Sequence, residues 1–311
     1  MNISLRLVLA IIAAAVLCIF TAAAQTPDDG WMRITSNDGR FSVQVPKNYD
    51  AFYDKDGFFI STSYDLFELR KSLILNSYHA KTLVSLENYT VKNPASAAAV
   101  LRESEKSLGK FMDHEGDGFK AKRATAQTAD LNIVRQYVYY DDQLLILTAA
   151  SKLAATEVTN RFLNSAKLVD KKAGESALKH NVALTFSRLR IAPLTLRVLE
   201  KQPDADGKPG ADAPKTPAKG DPSYAKPVFA FRPRPFYTNM ARTRSIEGEV
   251  RFRVTTTVNG GISHIDILKQ LPDGLMRQTL FAALRMKIIP GEQDGKPISQ
   301  TQQIYYSFDI L

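Results

Sequence analysis

The stretch Glu249-Val250-Arg251-Phe252-Arg253-Val254-Thr255-Thr256-Thr257-Val258, with Asn259-Gly260-Gly261 after it, decides how the end of the chain folds. Strict alternation puts Val250, Phe252, Val254, Thr256 and Val258 on one face. Glu249, Arg251, Arg253, Thr255 and Thr257 take the other, which is the period of a half-buried strand. Asn259-Gly260-Gly261 supplies positive-φ residues for a hairpin turn. A return strand at 263–268 aims Ile265 and Ile267 at the same apolar layer. A four-residue loop, 259–262, sets Val254 opposite Ile267.

Outward from this hairpin, Phe236, Tyr237 and Met240 fall at helix-face spacing and are expected to pack on the sheet. Downstream, a helix is expected over about 273–286, with Asp273 as N-cap and Leu275, Thr279, Leu280, Ala283 and Leu284 as its apolar stripe. Pro290-Gly291 stops the chain after it. The closing strand, 302–311, places Ile304, Tyr306, Phe308 and Ile310 on one face. A short helix, hairpin, helix and strand give a small three-stranded antiparallel sheet with helices on one face.

The order and spacing of these residues resemble the C-terminal domain of TonB, the periplasmic energy-transducing protein of Gram-negative bacteria. The resemblance is carried by Pro235 and Tyr237 with Ala241-Arg242, by Ile246-Glu247-Gly248-Glu249-Val250, by residues 258–261 and 265–268, by the helix at 280–284, by Pro290, and by Asp294-Gly295-Lys296-Pro297. The chain departs from the family pattern at Thr238, where Tyr-Pro is usual, and at Met286-Lys287-Ile288-Ile289, where an aromatic pair is usual.

This resemblance implies a non-enzymatic envelope protein acting in transmembrane transport. Its partner would be a TonB-dependent outer-membrane transporter, captured when an extended segment adds to an open sheet edge through backbone groups. The last strand is the expected edge, with Gln302, Gln303, Tyr305, Ser307 and Asp309 tuning specificity. Arg232 and Arg234, in the extended lead-in Arg232-Pro233-Arg234-Pro235, would add charge-assisted contacts. Two other readings stay open: a periplasmic scaffold or self-associating module, and a first domain that binds a ligand or envelope polymer.

The rest of the chain reads as α+β with a second, N-terminal domain. Residues 41–45, 58–62, 83–91, 119–127, 131–140 and 144–149 pattern as strands. Asn93-Pro94 opens a helix that stops at Gly109. Asp141-Asp142 makes a hairpin turn, and Val158, Phe162 and Leu163 line a further helix. The opening 36–43 with Pro46, and the ending 161–168, resemble a PsbP/Mog1-type domain, which implies an antiparallel α+β fold without a catalytic set. Thus the expected organisation is a signal peptide at 1–24, an N-terminal domain at 25–170, a connector at 171–200, a Pro/Ala/Lys/Asp-rich linker at 201–227 and the TonB-like domain at 228–311. The linker would reach at most about 80 Å if polyproline-like. In the connector, 182–186 and 194–199 are short apolar runs, read as extended segments packed on the first domain or as helix.

Composition narrows the function classes further. The 311 residues carry a formal charge of +9, densest at Arg232, Arg234, Arg242, Arg244, Arg251 and Arg253. Glu247 and Glu249 interrupt that run, which favours a solvated basic surface over a nucleic-acid site. Arg6, an apolar core at 7–20 and Ala22-Ala23-Ala24 fit a secretory signal, which places the protein in the periplasm; an uncleaved inner-membrane anchor is the competing reading. Cys18 lies inside that run, so the mature chain would have no thiol. His79, His114, His180 and His264 show no ligand spacing, so neither metal nor cofactor is expected. Residues 113–118 begin like a calcium loop, but Ala124 stands where the bidentate carboxylate belongs, and a turn is expected there. Asn88-Tyr89-Thr90 is an incidental sequon, and no catalytic fingerprint occurs.

Overall fold

The computed structural model describes residues 29–36, 38–54, 58–61, 66–91, 94–128, 130–152, 156–180, 195–198 and 221–310. The expected signal at 1–24, the run at 182–186 and residues 201–220 of the expected linker lie outside the described residues. The described residues from Met32 onward belong to one compact unit, which carries the architecture.

In chain order the strands begin with β1 (Trp31–Thr35), β2 (Phe41–Pro46), β3 (Asp50–Asp54), β4 (Phe58–Ser61), β5 (Leu66–His79) and β6 (Thr82–Val91). Helix α1 (Pro94–Leu108) precedes β7 (Met112–Gly116), β8 (Phe119–Gln127), β9 (Asn132–Tyr140) and β10 (Gln143–Ser151). Then come α2 (Glu157–Asn164), β11 (Lys167–Leu168), α3 (Lys171–His180) and β12 (Thr195–Val198). The C-terminal part comprises β13 (Tyr224–Ala225), β14 (Val228–Phe231), α4 (Asn239–Thr243), β15 (Gly248–Thr256), β16 (Ile262–Lys269) and α5 (Leu275–Leu284). It closes with β17 (Lys287–Ile289), β18 (Gly291–Gln293), β19 (Lys296–Ile298) and β20 (Gln300–Phe308).

The fold is α+β. An antiparallel sheet runs β3-β5-β6-β10-β9-β8-β7, with β4 also on β5. Strand β5 is missed by the sequence reading because Glu68-Leu69-Arg70-Lys71 breaks the period-two pattern. Residues 113–116 belong to edge strand β7, with Asp113 opposite Lys122, rather than to a turn. The sequon lies within β6.

The C-terminal sheet has the order β12-β16-β15-β20. Strand β15 is central, with β16 and β20 antiparallel on either side, and β12 adds in parallel outside β16. The expected three strands are therefore four, because 195–198 of the connector extends this sheet instead of packing on the N-terminal part. The hairpin register also differs by two residues: Val254 faces Ile265, and Ile267 faces Phe252. The longer turn explains it, since β15 ends at Thr256 and the Thr257 N–H closes the loop on the Gly261 carbonyl at 2.9 Å. Both pairings keep the same face inward, so Val250, Phe252, Val254 and Ile265 are all fully buried. Val258 lies past the strand and is exposed.

Gly274, not Asp273, is the cap residue of α5, and both adopt positive φ. The expected stripe is only part of its buried surface. Phe281, Ala282 and Gln278 are buried as well, because the helix is covered on more than one side. On one side lies β15. On another stands β6, where the Tyr89 ring meets Phe281 edge-on at 6.3 Å.

The segments expected as separate domains thus share one core. Tyr89, Val91, Tyr137, Leu144 and Ile146 of the large sheet cluster with Ala97 and Val100 of α1, and with Val250, Phe252, Phe281, Ile288 and Tyr306 of the C-terminal part. A second seam joins Leu83, Ile133 and Ala150 to Ala230 and Ile289. The hairpin turn touches the large sheet too: at Gly260, φ 76°, an added Cβ would lie 2.4 Å from the Ile288 carbonyl oxygen and 2.7 Å from Leu83. Only glycine fits there.

Within this joint core sits a charged cluster. Glu87 of β6 meets Arg135 at 2.9 Å, Arg285 at 3.2 Å and Lys287 at 3.2 Å, and Arg285 also meets Glu103 of α1 at 2.7 Å. Glu87, Arg135 and Lys287 are wholly inaccessible to solvent. Burial opposes ionisation of Glu87, but Lys287, Arg135 and Arg285, with the Tyr89 hydroxyl, overcome it and hold the carboxyl well below the usual carboxylate range. Burial pushes the Lys287 ammonium down to about 8, an effect Glu87 only partly offsets and Arg135 reinforces.

Two outcomes follow from this cluster. Glu87→Gln leaves three buried cations with too little counter-charge, and urea titration should show a loss of about 3–5 kcal/mol. Lys287→Met keeps Glu87 paired with both arginines and removes an ammonium whose charged form burial disfavours, so it should be more stable than wild type near neutral pH. The unfolded chain binds the Lys287 proton more tightly than the folded one, so wild-type stability rises between pH 8 and 10.5. The advantage of Lys287→Met should therefore be fullest below pH 8 and fade by about 10.5; a pH-independent difference would contradict the assignment.

Candidate functional site

An antiparallel ladder sends the N–H and C=O of alternate residues to opposite sides, so a strand with one neighbour leaves every second residue unpaired. The Ser263 hydroxyl meets the Thr255 carbonyl, and the Thr257 N–H turns to Gly261, which directs the odd residues of β15 toward β16. Its even residues therefore serve β20, where Val254 opposes Gln302, Phe252 opposes Ile304 and Val250 opposes Tyr306. In consequence Thr301, Gln303, Tyr305 and Ser307 present their backbone groups outward. Among the described residues β20 has β15 as its sole strand neighbour, whereas the outer side of β16 is taken by β12.

The side chains of that outward row are exposed, Tyr305 to 55 %. Ile304, Tyr306 and Phe308 point into the core. Gln303, Tyr305, Ser307 and Asp309 are thus brought to one solvent-facing row, although Asp309 lies beyond the strand end. Gln302 departs from the expectation: it alternates to the core side and is half-buried. Ile310, expected on the apolar face, is exposed, and its N–H donates to the Glu247 carboxylate at 2.8 Å.

Arg232 lies against this edge. Its Nη2 donates to the Tyr305 carbonyl at 2.6 Å, and the guanidinium stands 4.9 Å from the centre of the Tyr306 ring. The Tyr306 hydroxyl donates to the Pro233 carbonyl at 2.8 Å. Burial, partly countered by Arg232, pushes that phenol up to about 12. Arg234 is exposed. The other arginines of the basic run are engaged on the sheet surface: Arg251 with Glu249 at 2.7 Å, Arg253 with Asp266 at 3.3 Å and Arg244 with Asp273 at 2.9 Å. The Arg242 guanidinium lies 5.0 Å from the Tyr237 ring centre. His264 is held by Asp266 at 2.8 Å.

Phe236 and Tyr237 pack against the core, and Tyr237 meets Phe308 edge-on at 5.6 Å. Met240 does not; it is 57 % exposed because α4 is too short to carry a full stripe. Thr238, where the family usually has proline, caps α4 by accepting from the Ala241 N–H at 3.2 Å and donates to the Asp273 carbonyl at 2.7 Å. Elsewhere, a cleft of about 270 Å³ opens between α1 and the β7–β9 end of the large sheet, lined by Ala97, Leu101, Lys120, Lys122, Tyr137 and Tyr139. Among the described residues no group of three or more His, Cys, Asp or Glu is placed to hold a metal, and no helix is long and apolar enough to cross a membrane.

Fold and edge together define an α+β unit whose mainly antiparallel sheet ends in the nine-residue edge strand β20. Residues 233–310 match the family model described as the Gram-negative bacterial TonB protein C-terminal. Among solved structures, the TonB C-terminal domain of Pseudomonas aeruginosa is similar at 27% identity, over 30% of this chain and 91% of that one, with a TM-score of 0.23. The PsbP protein of Synechocystis sp. PCC 6803 is similar at 7% identity, over 48% of this chain and 98% of that one, with a TM-score of 0.28. A Bacteroides thetaiotaomicron protein is similar at 9% identity, over 45% of this chain and 49% of that one, with a TM-score of 0.29. No curated protein matches the chain.

The edge geometry has a direct readout. In hydrogen–deuterium exchange followed by NMR, the amides of Gln303, Tyr305 and Ser307 should exchange fast, and those of Gln302, Ile304 and Tyr306 should be protected. Equal protection along the strand would mean that the outward row has a partner.

Proposed function

We propose that this is an exported, non-enzymatic envelope protein whose TonB-like C-terminal part captures a partner by strand addition along β20. The observation that carries this reading is the outward backbone row of β20, regular along its whole pairing with β15. The sheet ends in β12, four residues long, on one side and in β20, nine residues long, on the other, and β20 has no strand beside its outer row among the described residues. Outward N–H and C=O groups give affinity to any extended segment, and the exposed Gln303, Tyr305, Ser307 and Asp309, with Arg232 and Arg234 nearby, supply selectivity. Gln302 contributes from the buried face by supporting the strand.

The family match over 233–310 supports an envelope role and favours the periplasm-facing segment of an outer-membrane transporter as the partner. In this reading the N-terminal part is the platform on which the C-terminal sheet is mounted, since the two share a core.

Proline at an outward position removes a needed N–H without disturbing the pairing with β15. Gln303→Pro and Tyr305→Pro should each abolish capture of periplasmic transporter peptides in a pull-down, with the circular dichroism spectrum unchanged. Full binding by a folded Gln303→Pro protein would rule out the β20 edge.

A further inference from the structure

The outward row of β20 is chemically suited to pair with itself. Thr301, Gln303, Tyr305 and Ser307 carry no charge, and the register with β15 runs without a bulge from Gly248 to Thr256. A two-fold axis between Gln303 and Tyr305 would lay β20 of one copy antiparallel to β20 of another, with Gln303 of each opposite Tyr305 of the other. Straight, uncharged borders of this kind associate unless some feature blunts them.

One side chain stands in the way. Arg232 occupies the Tyr305 carbonyl, an acceptor in the middle of the row, at 2.6 Å. It is held there from behind. Its guanidinium is 4.9 Å from the Tyr306 ring centre and 5.9 Å from that of Phe229, and the Tyr306–Pro233 hydrogen bond fixes the residue next to it. Tyr306 is itself buried, so the ring beneath this exposed guanidinium is fixed by the core of the sheet.

We propose that Arg232 is a displaceable guard that selects which strands the β20 edge admits and turns away a second copy of this chain. The inference rests on the strand-addition reading above. In a β20–β20 pairing both guanidinium groups lose their carbonyls and converge across the axis, where Thr301, Gln303, Tyr305 and Ser307 offer no carboxylate to receive them. That arrangement combines two broken charge-assisted hydrogen bonds with like-charge repulsion. A strand from a different protein brings only one Arg232 to the contact, and an acceptor on that strand takes the guanidinium over.

Sedimentation velocity on the full chain, across a concentration series and without any partner, tests this. Arg232→Ala should self-associate at a concentration about tenfold or more below that of wild type, the factor corresponding to the net worth of one charge-assisted hydrogen bond. Adding Gln303→Pro to Arg232→Ala should return association to the wild-type level, because the pairing row is then broken. Near-UV circular dichroism establishes that each variant is folded. Identical association of Arg232→Ala and wild type would overturn the proposal, as would an increase that persists in the double variant. Loss of peptide capture alone would bear on the partner and leave this result standing, so the two readings fail separately.

Discussion

A carboxylate shut away from water with three cations around it holds the molecule to one arrangement. Glu87 lies in the middle of the large sheet, yet two of its partners come from the C-terminal part: Arg285, the C-cap of α5, and Lys287, the first residue of β17. Removing two or three ions from water is costly, and their mutual attraction roughly offsets that cost only when the geometry is kept. Such a cluster adds little net stability, but it penalises every alternative docking, because any slip strands a buried charge. The apolar seam around Phe281, Ile288 and Ile289 supplies the attraction, and the ions supply the register.

The docking has a consequence for the C-terminal sheet. One of its faces is committed to α5 and the large sheet, and the border of β16 is committed to β12. Outward lie the polar face of β15 and β20 and, at one end of the sheet, the long border of β20. The strand that would receive a partner is therefore ordered before any partner arrives, which lowers the conformational cost of binding. An ordered open border is also an aggregation hazard, and the guard at Tyr305 answers it locally without altering the strand.

Much of this was readable from the sequence where side-chain period decides the matter. Alternation at 249–258 and 302–311 gave the inward rows of β15 and, as far as Phe308, of β20, and Pro94, Gly109 and Asp141-Asp142 marked element ends in the N-terminal part. The hairpin register was not readable, since a shift by two residues preserves every inward and outward side chain and only the turn distinguishes the pairings. The joint core was hidden for a different reason. Glu87 inside the apolar run 83–91, and Lys287 between Met286 and Ile288, were the available signals: charges in stretches otherwise built for burial. Neither names its partner, because the two lie far apart in the chain and an isolated charge in a strand usually faces water. In the candidate site, the period placed Gln303, Tyr305 and Ser307 together, while the contact of Arg232 with Tyr305 depends on where the lead-in crosses the sheet, which no local pattern encodes.

The two departures from the TonB pattern gain a physical meaning from these contacts. Thr238 stands where proline is usual, and a hydroxyl there both caps α4 and ties it to the turn before α5, two bonds that proline cannot make. Met286-Lys287-Ile288-Ile289 stands where aromatic residues are usual. Here Lys287 reaches Glu87, while Met286, Ile288 and Ile289 fill the seam with the large sheet, a surface that a free-standing C-terminal domain would not need to bury. The first substitution thus acts within the C-terminal part, between α4 and α5, and the second at the seam with the large sheet. The seam therefore has a chemical signature in the sequence: apolar residues around a lysine whose counter-charge lies on another sheet.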